Sequence, residues 1–120
     1  MAVIVLFAKS SSRDEPYSLT FTLSEDGSLS VWCDCRAGEF GQLCKHKQAL
    51  VSNDPSMLYD KSQVEELGRV NEWVQATAYP EMIREIIQTE KEIKKAKRIL
   101  KNAKTKLARH MRDGIKWQNS

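Results

Sequence analysis

All three cysteines of the chain and one of its two histidines fall in a single short stretch, spaced Cys-x-Cys-x8-Cys-x-His between Cys33 and His46. No other feature restricts so strongly what the chain can fold into, because donors of this kind draw separate pieces of backbone to one point. Three thiolates and an imidazole suit a tetrahedral ion, and zinc is the ion whose preferences they match. With Cys33, Cys35, Cys44 and His46 all ligating, no coordination position is open to a reacting water, so the centre is expected to be structural. A disulfide framework fits poorly, since the count is odd and two of the cysteines lie only two positions apart. Redox chemistry of a reactive thiol would need an electropositive, partly exposed setting, and it stays as the alternative together with chance clustering. Arg36, Lys45 and Lys47 lie close enough in sequence to offset the net negative charge of a three-thiolate zinc centre.

These residues and their neighbours resemble the SWIM zinc finger, whose pattern is Cys-x-Cys, a variable gap, then Cys-x-His. Phe40 stands where members often carry an aromatic, Gly41 where they carry a glycine, and Lys45 where they place a basic residue between Cys and His. Ala49-Leu50-Val51 supplies the small and apolar residues after the histidine. The gap is short here, and Leu43 replaces the proline or serine often found before the third cysteine. The resemblance covers Ser28 to Val51. It implies a β-hairpin carrying the first two ligands, a short helix carrying the last, and binding to nucleic acids or proteins.

A chain of 120 residues is one domain with room for an appendage. Its first half alone would bury little apolar surface, the situation in which a structural metal contributes most, so metal binding and folding are expected to be one event. The apolar run Ala2 to Ala8 is too short for a signal-peptide core and has no basic residue before it. No stretch reaches the length of a membrane span. An intracellular, reducing location, cytoplasmic or nuclear, is the expectation.

Val3-Ile4-Val5-Leu6-Phe7 is apolar without alternation, which predicts a strand covered on both faces. Tyr17, Leu19, Phe21 and Leu23 alternate with Ser18, Thr20 and Thr22, a period of two that predicts a second strand with one apolar face. Asp26-Gly27 reads as the turn, and Leu29 and Val31 alternate with serines on a third strand that delivers Trp32 and the first ligands. Trp32 and Phe40 are expected to form an apolar lid over a small metal-centred core. A short helix is predicted from Cys44 to Val51, ending before Asn53-Asp54-Pro55.

Val64, Leu67, Val70 and Val74 recur at helical spacing over Lys61 to Thr77, with Gly68 a weak point. Pro80 then suits the first turn of a further helix, from about Glu81 to Arg112, with Trp117 fixing its end. Between Lys91 and Lys116 stand eleven basic and two acidic residues, although the whole chain carries only +3. On a helical projection Ile93, Ala96, Ile99, Leu100, Ala103, Leu107 and Met111 share one side and the basic residues fill most of the other. Ile86, Ile93, Leu100 and Leu107 repeat every seven residues, as in a coiled-coil seam.

A basic helix face of this kind follows a phosphate backbone, and Lys94, Lys95, Arg98, Lys101, Arg109 and Arg112 are its candidate contacts. No aromatic interrupts the run, so base stacking is not expected and sequence preference should be weak. The alternative is a solvated face, or pairing with the acidic part of a second copy, since six glutamates from Glu65 to Glu90 precede the run. Alanines thin the apolar face and no Trp or Phe lies in it, which disfavours a membrane surface. His110 has no soft co-ligand, and no phosphate loop or nucleophile motif is present, so no enzyme is expected.

The sequence thus predicts an α+β protein. Residues 1–59 form a SWIM-like zinc-binding ββα module with an extra N-terminal strand, and 60–120 a helical hairpin whose long second helix is basic. The expected function is non-catalytic binding of nucleic acid or a nucleoprotein complex, with structural Zn²⁺. The alternative is a protein-interaction module, a small adaptor or inhibitor, with a helix-mediated homodimer compatible with either.

Overall fold

Alternation along the strands decides which side of the sheet is filled. In the computed structural model, which describes residues 1–118, β1 (Ala2–Ala8), β2 (Tyr17–Leu23) and β3 (Leu29–Cys33) form an antiparallel sheet in the order β1-β2-β3. The register sets Leu6 opposite Leu19 and Leu19 opposite Cys33, with Ile4, Phe21 and Val31 forming the next row. These residues share one face, and the first metal-ligand candidate lies in the same row as two buried leucines.

The chain divides into two compact units, Met1–Ile83 and a second beginning at Arg84. In the first, α1 (Arg36–Glu39), α2 (Lys45–Val51) and α3 (Val64–Gln75) follow the sheet, joined by 3₁₀ turns at Pro55–Met57 and Lys61–Gln63. Leu67, Val70 and Val74 of α3 are fully or almost fully buried, and they share a core with Leu6, Phe21, Leu50 and Leu58. Val64, the first residue of the expected periodicity, is exposed instead. Gly68 lies on the exposed side of α3, where its missing side chain leaves no gap in the core.

One expectation fails at β1. Helices cover only the inner face of the sheet, so Val3, Val5 and Phe7 are exposed while Leu6 and Ala8 are buried. The free edge of β1 is closed by the chain itself. Gln63, buried, accepts a hydrogen bond from the Phe7 N–H through Oε1 (2.9 Å) and donates one from Nε2 to the Val5 carbonyl (3.0 Å). The Tyr59 N–H donates to the Phe7 carbonyl and the Lys9 N–H to the Met57 carbonyl. A side-chain amide here takes the place of a neighbouring strand, blunting an edge that would otherwise recruit another chain.

α4 runs from Tyr79 to Asp113 with Pro80 in its first turn, where a missing N–H costs nothing. Within the first unit, Tyr79 and Ile83 pack against the core, and the Tyr79 hydroxyl donates to the Leu29 carbonyl at 2.6 Å. From Arg84 on, α4 constitutes the second unit and has no buried residue. It ends at Gly114, whose φ of +89° is the left-handed conformation that commonly stops a helix. Trp117, expected to fix that end, is 96 % exposed; the glycine does the terminating.

Candidate metal centre

Three separate elements bring the four donors together. Cys33 is the last residue of β3 and has no exposed surface. Cys35 is the N-cap of α1 and Cys44 the N-cap of α2, and His46 sits in the first turn of α2. The four ligand atoms lie within 4.8 Å of one another, so the cluster can hold a metal ion.

The backbone prepares the sulfurs for negative charge. Cys35 Sγ accepts a hydrogen bond from the Gly38 N–H (3.3 Å) and Cys44 Sγ one from the Lys47 N–H (3.4 Å). Each sulfur occupies the place of the usual capping oxygen, three residues ahead of its donor, where the helix end also favours an anion. Of the basic side chains expected to offset the centre's charge, Lys45 donates through Nζ to Ser11 Oγ and Lys47 through Nζ to the Gln42 carbonyl. Backbone amides fixed by a helical turn are aimed at the sulfurs, and the Lys45 charge is felt at His46.

Without an ion the cluster cannot be fully ionised. Burial pushes the Cys33 thiol up to about 12, with the neighbouring Cys35 and Cys44 adding to the effect. Burial also opposes ionisation of Cys35, but hydrogen bonds from Gly38 and from the other two thiols outweigh it and hold Cys35 below its ordinary value. Burial, and then Lys45, keep His46 below its ordinary value, which favours the neutral imidazole that a metal requires. Its Nδ1 faces Cys33 Sγ at 3.8 Å, and its buried Nε2 has no hydrogen-bond partner among the described residues. An ion held by the sulfurs and by the imidazole nitrogen that faces them would supply the positive charge that the thiolates lack. The residues therefore fit a thiolate-rich metal centre.

Residues that the sequence did not single out shape this site. Asp34, between the first two cysteines, accepts hydrogen bonds from the Ser18 N–H (2.9 Å) and hydroxyl (3.0 Å), anchoring the Cys-x-Cys turn to the start of β2. Tyr17 packs on the His46 ring at 4.8 Å, and the Arg13 guanidinium lies 4.0 Å over Tyr17. This stack forms the cover assigned above to Trp32 and Phe40. Those two are 49 % and 72 % exposed, because Cys33 faces inward and strand alternation sends Trp32 outward, beside Thr20. Gly38, also missed, is buried against Cys33 with no room for a side chain. Its signal was a glycine in an otherwise helix-favouring Arg-Ala-Gly-Glu just past two ligands.

In the second unit, Lys94, Lys95, Arg98, Lys101, Arg109 and Arg112 are all exposed on α4. At about 100° per residue they fall on one side of the helix, opposite Ile93, Leu100 and Leu107. Arg112 is engaged by Asp113 through two hydrogen bonds, and this is the one ion pair among the described residues. No helix among the described residues is long and apolar enough to cross a membrane. No family model, curated protein or solved structure matches the chain.

Proposed function

We propose that the chain is a non-catalytic zinc-binding module of the SWIM type that binds nucleic acid, alone or within a nucleoprotein complex, through the basic face of α4. The observation that carries it is the meeting of Cys33, Cys35, Cys44 and His46 within 4.8 Å. Zinc follows from the donor set, three thiolates and one imidazole, and in such a centre it serves as a structural cross-link. Three free thiols set in this way belong in a reducing, intracellular compartment. The nucleic-acid half rests on the one-sided array of Lys94, Lys95, Arg98, Lys101, Arg109 and Arg112, which suits phosphates spaced along a backbone and offers little to read a base.

Elemental analysis and a salt titration test the two halves separately. One zinc per chain is expected, and protein that holds no metal while the stretch from Cys35 to Cys44 stays ordered would refute the metal assignment. If about six phosphates are neutralised, log affinity falls against log salt with a slope near −5, and Lys101→Ala lowers that slope by about 1 on every sequence alike. Absence of binding to duplex and single-stranded nucleic acid at low salt would move the function to a protein partner. That second reading is favoured by the open sheet face, where Val3, Val5, Phe7 and Trp32 stand exposed around Thr20 and Thr22.

A further inference from the structure

The second unit carries an apolar seam that its own residues do not cover. Ile93, Ala96, Leu100, Ala103 and Leu107 recur at alternating steps of three and four, and Ile93, Leu100 and Leu107 are each half or more exposed. A helix in water draws most of its stability from packing such a face, and among the described residues the side chains of the second unit add only local contacts, such as the Arg112–Asp113 ion pair and the Gln88–Glu92 hydrogen bond.

The composition of the seam indicates what fits it. Large residues (Ile93, Leu100, Leu107) occupy one core position of the repeat and alanines (Ala96, Ala103) the other. In a parallel pair in register like meets like, so layers of two leucines would alternate with layers of two alanines, and the alanine layers would leave voids. In an antiparallel pair Ile93 and Leu100 can each face an alanine of the other copy, so the central layers have even volume, with Leu107 facing Thr89 and Ile86 facing His110.

Charge then selects the alignment. With two copies centred on Arg98, Leu100 packs against the second copy's Ala96 and Ile93 against its Ala103. Glu90 comes beside the second copy's Lys104 on one flank and Glu92 beside its Lys106 on the other, while Ile99 meets its own equivalent. Lys97 facing Lys97 is unfavourable. Glu85 faces Asp113, whose carboxylate is already held by Arg112. Sliding one heptad in one direction sets Lys97 against Lys104 and loses both glutamate pairings. Sliding the other way puts Tyr79 into a layer, although Tyr79 is packed on the core of the first unit.

We infer that α4 pairs antiparallel with α4 of a second copy through Ile86, Ile93, Ala96, Leu100, Ala103 and Leu107, centred on Arg98. The pairing leaves Lys94, Arg98, Lys101 and Arg112 on the far side of each helix and does not depend on what they bind.

Sedimentation equilibrium of the full zinc-loaded chain tests it. A mass of two 13.8 kDa chains is expected. It should persist or strengthen at high salt, where repulsion between the basic halves is screened, whereas phosphate binding weakens there. This opposite salt response separates failure of the pairing from failure of the nucleic-acid assignment. Leu100→Lys should weaken association about a hundredfold, since two seam contacts are lost per pair, with zinc content unchanged. Zero-length carbodiimide coupling reads the orientation: covalent dimers should join Glu90 to Lys104 and Glu92 to Lys106. Those residues are fourteen apart, about 21 Å along one helix, so the links cannot form within a chain. A single-chain mass at every concentration and salt overturns the pairing, as do covalent dimers joined from Glu92 to Lys97, the parallel arrangement. Links from Glu90 to Lys97 overturn the alignment on Arg98.

Discussion

The same substitution at two helical glycines should move stability in opposite directions. By propensity alone, alanine in place of glycine inside a helix stabilises by about 0.5–1 kcal/mol. At Gly68 in α3 a new Cβ would meet nothing within 4 Å, so Gly68→Ala is expected to show that gain in full. At Gly38 in α1 the Cβ would overlap the Cys33 carbonyl oxygen and lie 2.8 Å from the Cys33 carbonyl carbon and Cβ. The obstacle is strand backbone, paired through Leu19 to the middle of the sheet, and it cannot swing aside as a side chain would. α1 has to move instead, and its movement withdraws the Gly38 N–H from Cys35 Sγ. Overpacking costs about 1–3 kcal/mol and a lost hydrogen bond to a charged acceptor about 1.5–3 kcal/mol. Set against the propensity gain, the net loss for Gly38→Ala is about 2–5 kcal/mol.

Urea denaturation of the zinc-loaded proteins followed by far-ultraviolet circular dichroism gives both differences, and competition with a chromophoric chelator gives the accompanying loss of metal affinity in Gly38→Ala. Equal or greater stability of Gly38→Ala relative to the parent would refute the close packing of α1 on Cys33. So would a shift of the same sign for both variants.

Gln63→Leu should destabilise by about 2–4 kcal/mol, because it keeps the burial but leaves the Phe7 N–H and Val5 carbonyl unpaired. Hydrogen exchange at the Phe7 amide checks the cause, since protection there should fall further than at Leu19 in the middle of the sheet. Chelation of the metal should loosen the stretch from Cys35 to Cys44 before the rest of the first unit. Between those residues only Cys35 and Gly38 are buried, whereas the core that Cys33 and Cys35 join is formed mainly by residues that are not donors, Leu6, Phe21, Leu67, Val70 and Val74 among them. Amide exchange of the chelated protein should therefore show that stretch unprotected and the β1–β2 ladder still protected, and uniform loss of protection would contradict it.

The donors were legible because ligand chemistry is carried by residue type and spacing, which no later packing can alter. Period-two alternation in Tyr17–Leu23, the Asp26-Gly27 turn and the helical spacing of Leu67, Val70 and Val74 were legible for a related reason. Each is a local pattern that states its own buried face. Pro80 marked the start of α4 to within two residues because proline is tolerated in so few helical places.

What the sequence withheld was set by residues far apart along the chain. A run such as Val3 to Phe7 is apolar on both sides whether one face is covered or two, and only the number of helices arriving later decides. Trp32 was misplaced by weighing its bulk over its position: once Val31 and Cys33 face the core, the residue between them has to face outward. α1 is four residues long, too short to show any period, and Gly38 is intelligible only when the Cys33 backbone is seen beside it. Gln63 is the extreme case. Its partners lie 56 and 58 residues earlier, and nothing in Lys-Ser-Gln foretells that an amide will stand in for a strand there. The need for some such device was nonetheless inferable, because a three-stranded sheet has two edges and a buried edge amide has to find an acceptor.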